Sequence, residues 1–181
     1  MKTLMVIFLF FSTCAAEAKP HVEALKRAAK KVGVPPELLK AICTAESNLR
    51  PSAYVHADGG DENSAFGMCQ ILYRTARGMG FKGDSCLGKD FNKLPRTYKN
   101  CNLFGPYTNS YWAARYLKYQ LNRYNGSWIS AIAAYNTGSL KICKTGKVIR
   151  KKDRKVLYTC QKGGLYNQRY VDRVLRALQE N

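Results

Sequence analysis

The stretch PPELLKAICTAESN, residues 35–48, decides how the chain is read. Pro35 and Pro36 suit the first turn of a helix, where a missing N–H leaves no bond unmade. Beyond them Leu39, Ile42, Cys43 and Glu46 recur at i, i+3, i+4 and i+7, the spacing of one helical face. The carboxyl of Glu46 therefore falls on an apolar stripe, toward a core. Burial disfavours the ionised form of a carboxyl and raises its pKa, which keeps a glutamic acid protonated near neutral pH and able to donate a proton. A glutamate followed by Ser47 and Asn48 also fits a partly solvated helix end, so periodicity alone leaves both readings open.

The flanking sequence is helical too. Residues 22–31, VEALKRAAKK, form an amphipathic run that Gly33 ends. Downstream, Thr108 or Asn109 reads as a cap before SYWAARYLKYQLNRY, and Ser127 as a cap before WISAIAAYN with Gly138 as the stop. In the terminal YNQRYVDRVLRALQ, Tyr170, Val171, Val174 and Leu178 make the buried stripe, and Arg169, Arg173 and Arg176 the wet side. The segment KTGKVIRKKDRKVLYT alternates Val148 and Arg150, then Val156 and Tyr158, around Lys152-Asp153, and predicts a hairpin. The expected architecture is a compact, mainly helical domain with one small β element, without repeats or a second domain.

Length and composition agree. The 181 residues suffice for about one domain. A content of 46% hydrophobic and 23% charged residues is that of a folded chain, and a net charge of +18 excludes an acidic activation domain. Residues 1–18, MKTLMVIFLFFSTCAAEA, place Lys2 before an apolar run from Leu4 to Phe11 and end in Ala16-Glu17-Ala18. That is the pattern of a secretory signal peptide, with residues 19–181 as the mature domain. The run is shorter than the ~18–20 residues that span a bilayer, and no later segment approaches that length. Cys14 offers an alternative as a lipid-bearing residue, but Thr13 before it fits that signal poorly. A secreted or periplasmic protein is expected.

Removal of residues 1–18 takes away one lysine and one glutamate, so the charge stays at +18, and leaves six cysteines. In an exported chain these suggest disulfides. Cys143 and Cys160 flank the predicted hairpin, and Cys86 and Cys101 bracket a loop containing Gly88 and Pro95, which favours those two pairings. A metal site is not expected: no CxxC or Cys/His spacing occurs, and His21 and His56 are isolated.

Four blocks occur in order: Glu46-Ser47-Asn48; Gly67-Met68-Cys69-Gln70-Ile71; Ala134-Tyr135-Asn136-Thr137-Gly138; and Tyr170-Val171-Asp172-Arg173-Val174. They resemble the E-S, G-x-x-Q-I, A-Y-N-x-G and Y-V-x-x-V motifs of the soluble lytic transglycosylase domain, an α+β lysozyme-like fold that cleaves peptidoglycan glycan strands. The resemblance runs from about Lys26 to Leu178. It implies that Glu46 is the catalytic acid and then base, with Ser47 in its substrate-binding neighbourhood. It also implies that Gln70 binds the sugar beside the scissile bond, that Tyr135 and Asn136 face Glu46 across the cleft, and that Tyr170 hydrogen-bonds near the carboxyl. Cys69 stands where the family usually carries a hydrophobic residue, which fits a bridge to Cys43. No cofactor is implied.

Glycosidic cleavage usually uses two carboxylates, whereas the lytic reaction uses one. The segment from His56 to Asn63 nevertheless adds acidic residues, and Asp61 holds the spacing at which the related goose-type lysozymes carry an aspartate. Asp61 or Asp58 as a second carboxylate would make an inverting muramidase. A turn whose aspartates bond backbone amides is the plainer reading. Eight basic residues between Lys141 and Lys155, answered by Asp153 alone, favour a role in binding anionic cell-envelope polymers. No nucleic-acid motif accompanies them. The sequence thus points to a monomeric glycan-cleaving enzyme acting on peptidoglycan, with a non-catalytic cationic wall-binding module as the rival.

Overall fold

The computed structural model describes residues 19–57, 61–83, 86, 101–144, 148–150, 156–159 and 161–180, with the side chains of Asp61 and of residues 148–150 and 156–159 excluded. The expected signal segment, Cys14, Asp58 and Cys160 lie outside the described residues. Among the described residues six α-helices carry most of the fold: α1 (Pro20–Val32), α2 (Pro36–Ser47), α3 (Tyr73–Gly78), α4 (Pro106–Arg123), α5 (Trp128–Thr137) and α6 (Gln168–Gln179). Three two-residue strands, β1 (Tyr54–Val55), β2 (Ala65–Phe66) and β3 (Ile71–Leu72), make an antiparallel sheet in chain order. The predicted hairpin is present as β4 (Val148–Arg150) and β5 (Val156–Thr159), with a register shift between Ile149 and Arg150.

The described residues therefore hold two β elements, where one was expected. The first sheet is invisible to periodicity because strands of two residues are too short to alternate.

Helix packing follows the apolar stripes. α1 lies along α4, α2 packs against α6 and α1, and α4 against α5. Leu25, Leu38, Leu39, Ile42, Leu117, Ile132 and Val171 are fully buried in one core that all five of these helices share. Removing each such side chain from water is worth about 2–3 kcal/mol, and the sum fixes the helices against one another. On α6 the buried positions are Tyr170, Val171, Val174 and Ala177, while Leu178 packs only partly buried at the edge. A smaller cluster, with Phe66, Ile71, Tyr73, Phe81 and Leu103, lies against the sheet.

The junction between the two clusters rests on a residue that the sequence suggests as a cap. α4 begins at Pro106 with Gly105 ahead of it, so neither Thr108 nor Asn109 caps it. Asn109 is instead fully buried. Its Oδ1 accepts from the Cys69 amide at 2.8 Å, and its Nδ2 donates to the carbonyls of Phe66 at 2.7 Å and Leu103 at 2.9 Å. The Gly67 turn closes over this amide. Gly67 has φ +67°, and a Cβ there would lie 2.4 Å from Asn109 Nδ2 and 2.8 Å from the Leu103 carbonyl oxygen. Only glycine meets both demands.

Two disulfides brace the structure, Cys43–Cys69 between α2 and the turn, and Cys86–Cys101 beside the smaller cluster. Cys143 is also disulfide-bonded, while Cys160, its expected partner, lies outside the described residues.

Asn109→Ala removes the side-chain partner of two carbonyls and one amide, and Gly67→Ala adds a clash to an unfavourable backbone conformation. Each is expected to lower the unfolding free energy by at least about 2 kcal/mol, read from the midpoint of chemical denaturation. An unchanged midpoint in both would mean that the turn is not held as described.

Candidate active site

The last turn of α2 carries Glu46, and Asn48, with φ 55°, ends the helix in the left-handed conformation. Because Ile42 and Cys43 are fully buried one turn earlier, Glu46 is drawn toward the core and only half-buried at its surface. The Tyr170 hydroxyl on α6 donates to Glu46 Oε1 at 2.7 Å. Burial pushes the Glu46 carboxyl up from 4.5 to about 7, against the opposing effects of the Tyr170 hydrogen bond and the Arg173 charge. Tyr170 itself is pushed well above the usual phenol range, chiefly by burial and then by the charge of Glu46, so it acts as a donor. The Arg173 guanidinium lies over the Tyr170 ring, 5.5 Å from its centroid.

The facing wall is the Gly67 turn. Gln70 takes φ +48° there, and its Nε2 donates to the Gly67 carbonyl at 2.8 Å. Tyr135, on α5, is buried and donates its hydroxyl to the Cys69 carbonyl at 3.0 Å. Burial and then the nearby Glu46 charge push its phenol well above the ordinary value. Tyr116 packs against it with ring centroids 5.2 Å apart. The Cys43–Cys69 bridge ties the helix of Glu46 to the turn of Gln70 from beneath.

Glu46, Gln70, Tyr135 and Asn136 all line one cleft of about 400 Å³. Val55 and Leu72 of the first sheet and Arg74 of α3 complete its far side, and periodicity had not marked them. Tyr170 reaches the site through its bond to Glu46 rather than by lining this cleft. Ser47, expected in the substrate-binding neighbourhood of Glu46, is not among the residues that line this cleft. It is 6% exposed, and its hydroxyl donates to the Met68 carbonyl at 2.7 Å and accepts from the Arg50 amide at 3.0 Å. Ser47 thus ties the end of α2 to the Gly67 turn.

Asn167 is a residue that sequence reasoning missed. It precedes α6 without capping it, and its Nδ2 donates to the Ala133 carbonyl at 3.0 Å and to Asn136 Oδ1 at 3.1 Å, which orients Asn136 at the rim. An asparagine ahead of a helix reads as a cap, so its reach to α5 leaves no signal in the sequence.

Among the described residues, Glu46 is the one carboxylate that lines this cleft. Asp58 lies outside them; Asp61 opens a short 3₁₀ turn, Asp61–Asn63, and its side chain lies outside them too. No group of three or more His, Cys, Asp or Glu side chains able to hold a metal is found among the described residues.

The arrangement is thus a buried carboxyl in a groove between helices and a small sheet. The sequence model of the transglycosylase SLT domain matches residues 23–157, and the chain belongs to that family. Membership implies lytic transglycosylase activity on peptidoglycan. The match ends before α6, so the contribution of Tyr170 rests on the geometry.

Because the folded state holds the Glu46 proton more tightly than an unfolded chain does, this carboxyl favours folding below about pH 4.5 and opposes it increasingly as pH rises through 7. Glu46→Gln, which can still accept from Tyr170, should be more stable than the parent at pH 8 by up to about 3 kcal/mol. The difference should vanish near pH 4. Thermal melts across this range test it; a constant difference would mean that Glu46 titrates normally.

Proposed function

We propose that the protein is a peptidoglycan lytic transglycosylase that cleaves the β-1,4 bond between MurNAc and GlcNAc, with Glu46 as general acid and then base. The observation that carries this reading is the Glu46 carboxyl, held near pKa 7 by burial at the wall of the cleft. A group that is half protonated near neutral pH both donates and recovers a proton at little cost.

The protonated carboxyl gives its proton to the glycosidic oxygen as the bond to C1 breaks. The N-acetyl group assists the oxocarbenium-like centre, and the C6 hydroxyl of the same muramyl residue attacks C1 to close a 1,6-anhydro ring. Glu46, now a carboxylate, takes the proton of that hydroxyl. No water is consumed, and one carboxyl suffices. The Gln70 amide and Asn136 hold the sugars on either side, while Tyr135 positions the Gly67 turn through the Cys69 carbonyl. Tyr170 is a positioning residue that acts through Glu46.

Export through the segment 1–18 goes with this reading. The substrate is outside the cytoplasm, and the disulfides suit an oxidising compartment. No described helix is long and apolar enough to cross a membrane.

Mass spectrometry of fragments released from purified sacculi tests the reaction. Anhydro-muramic ends are expected from the parent, with a loss of at least about a hundredfold in Glu46→Gln. Hydrated reducing ends would make the protein a muramidase and bring Asp61 and Asp58 back as second carboxylates. No fragments from either form would leave a wall-binding module.

Tyr170→Phe removes a hydrogen bond that favours the ionised Glu46, so the carboxyl titrates higher. The alkaline limb of the pH–rate profile should move to higher pH. A lower rate with the limb unmoved would reduce Tyr170 to a packing residue.

A further inference from the structure

A second cavity, of about 690 Å³, adjoins the catalytic cleft and is the larger of the two. Asn136 lines both. Its floor is α6, where Arg169, Arg173 and Arg176 stand at i, i+4 and i+7 on one face. No salt bridge engages any of the three among the described residues. Asp172, which lines the same cavity, accepts from Gln168 Nε2 at 2.8 Å and forms a salt bridge with none of the three among the described residues. A guanidinium can donate to a sugar hydroxyl, but three in a row bring a concentrated positive charge that an uncharged sugar chain does not answer, whereas carboxylates match both the charge and the fork geometry.

We infer that this cavity receives the peptide substituent of the glycan, with Arg169, Arg173 and Arg176 pairing with its carboxylates. The inference rests on the peptidoglycan reading above. In peptidoglycan the stem peptide hangs from the lactyl ether of the muramyl sugar, so it leaves the strand beside the bond that Glu46 attacks. Tyr170 lines the cavity and also holds Glu46, which sets the peptide seat one side chain away from the acid. From Arg169 to Arg176 the helix rises about 10 Å. That is the reach of about three residues of extended peptide, so several carboxylates of a stem peptide fall within range of the row. Asn167 and Asn136, linked at 3.1 Å, mark the passage between the sugar cleft and the peptide cavity.

The consequence is a preference for peptide-bearing strands over naked ones. The test uses Arg169→Gln/Arg176→Gln, both at exposed positions, and leaves Arg173 in place because its charge bears on Glu46. The ratio of kcat/KM for peptide-bearing over amidase-stripped strands should be about tenfold in the parent, the size of two exposed charge pairs. In the double variant it should fall toward one. Strands whose stem carboxylates have been converted to carboxamides should behave as stripped strands. A ratio of one in the parent, or a ratio that the double substitution leaves intact, overturns the inference.

Equilibrium binding of the same oligomers to Glu46→Gln separates this outcome from failure of the catalytic reading. A tenfold tighter binding of peptide-bearing oligomers that Arg169→Gln/Arg176→Gln removes upholds the cavity even if no cleavage occurs. Equal binding of both oligomers overturns it. Competition by a phosphate polymer in place of stem peptide, lost in the double variant while the oligomer preference stays, would assign the arginines to a different anion and also overturn it.

Discussion

The hydrogen bond from Tyr170 to Glu46 joins residues 124 positions apart, and the site depends on the packing that permits it. α2 and α6 must lie against each other through Leu39, Ile42, Val171 and Val174 before the carboxyl is removed from water. The same packing imposes opposing effects on Glu46. Desolvation raises its pKa, while the phenol and Arg173 favour the ionised form, and the balance falls near 7. Desolvation alone would hold the carboxyl higher, and more exposure would leave it a solvated carboxylate. A group meant to give a proton and take one back is served by the intermediate position.

Opposite Glu46 the constraint is steric. Gly67 can close its turn because it lacks a side chain, and Asn109 then bonds three backbone groups around that turn. Ser47 and the Cys43–Cys69 bridge tie this turn to α2. The two walls of the cleft are thereby held at a fixed spacing by contacts that do not touch substrate. Helical packing presents the acid, and a polar, cross-linked turn presents the wall that faces it.

These two kinds of contact differ in how far the sequence reveals them. The position of Glu46 was legible because the 3.6-residue period carries it onto the stripe of Leu39, Ile42 and Cys43. The start of α5 was legible too, since Ser127 caps it by accepting from the Ser130 amide. The hairpin was legible from its alternation. Asn109 and Asn167 were not, because an asparagine near a helix start looks the same whether it caps its own helix or reaches another element. The tie from Ser47 to the Gly67 turn was hidden for a similar reason: motif position gives proximity to the acid but not the direction of a hydroxyl. The first sheet escaped because its strands are shorter than the period that would betray them.

Burial, opposed by Tyr170 and Arg173, sets the Glu46 carboxyl near neutrality. Titration of that carboxyl by NMR in the full chain, with ¹³C-labelled glutamate and Glu46→Gln for assignment, measures it most directly. An apparent pKa of about 7, coincident with the alkaline limb of activity, is expected. A titration between about 4 and 5, the range of a solvated glutamate, would contradict it.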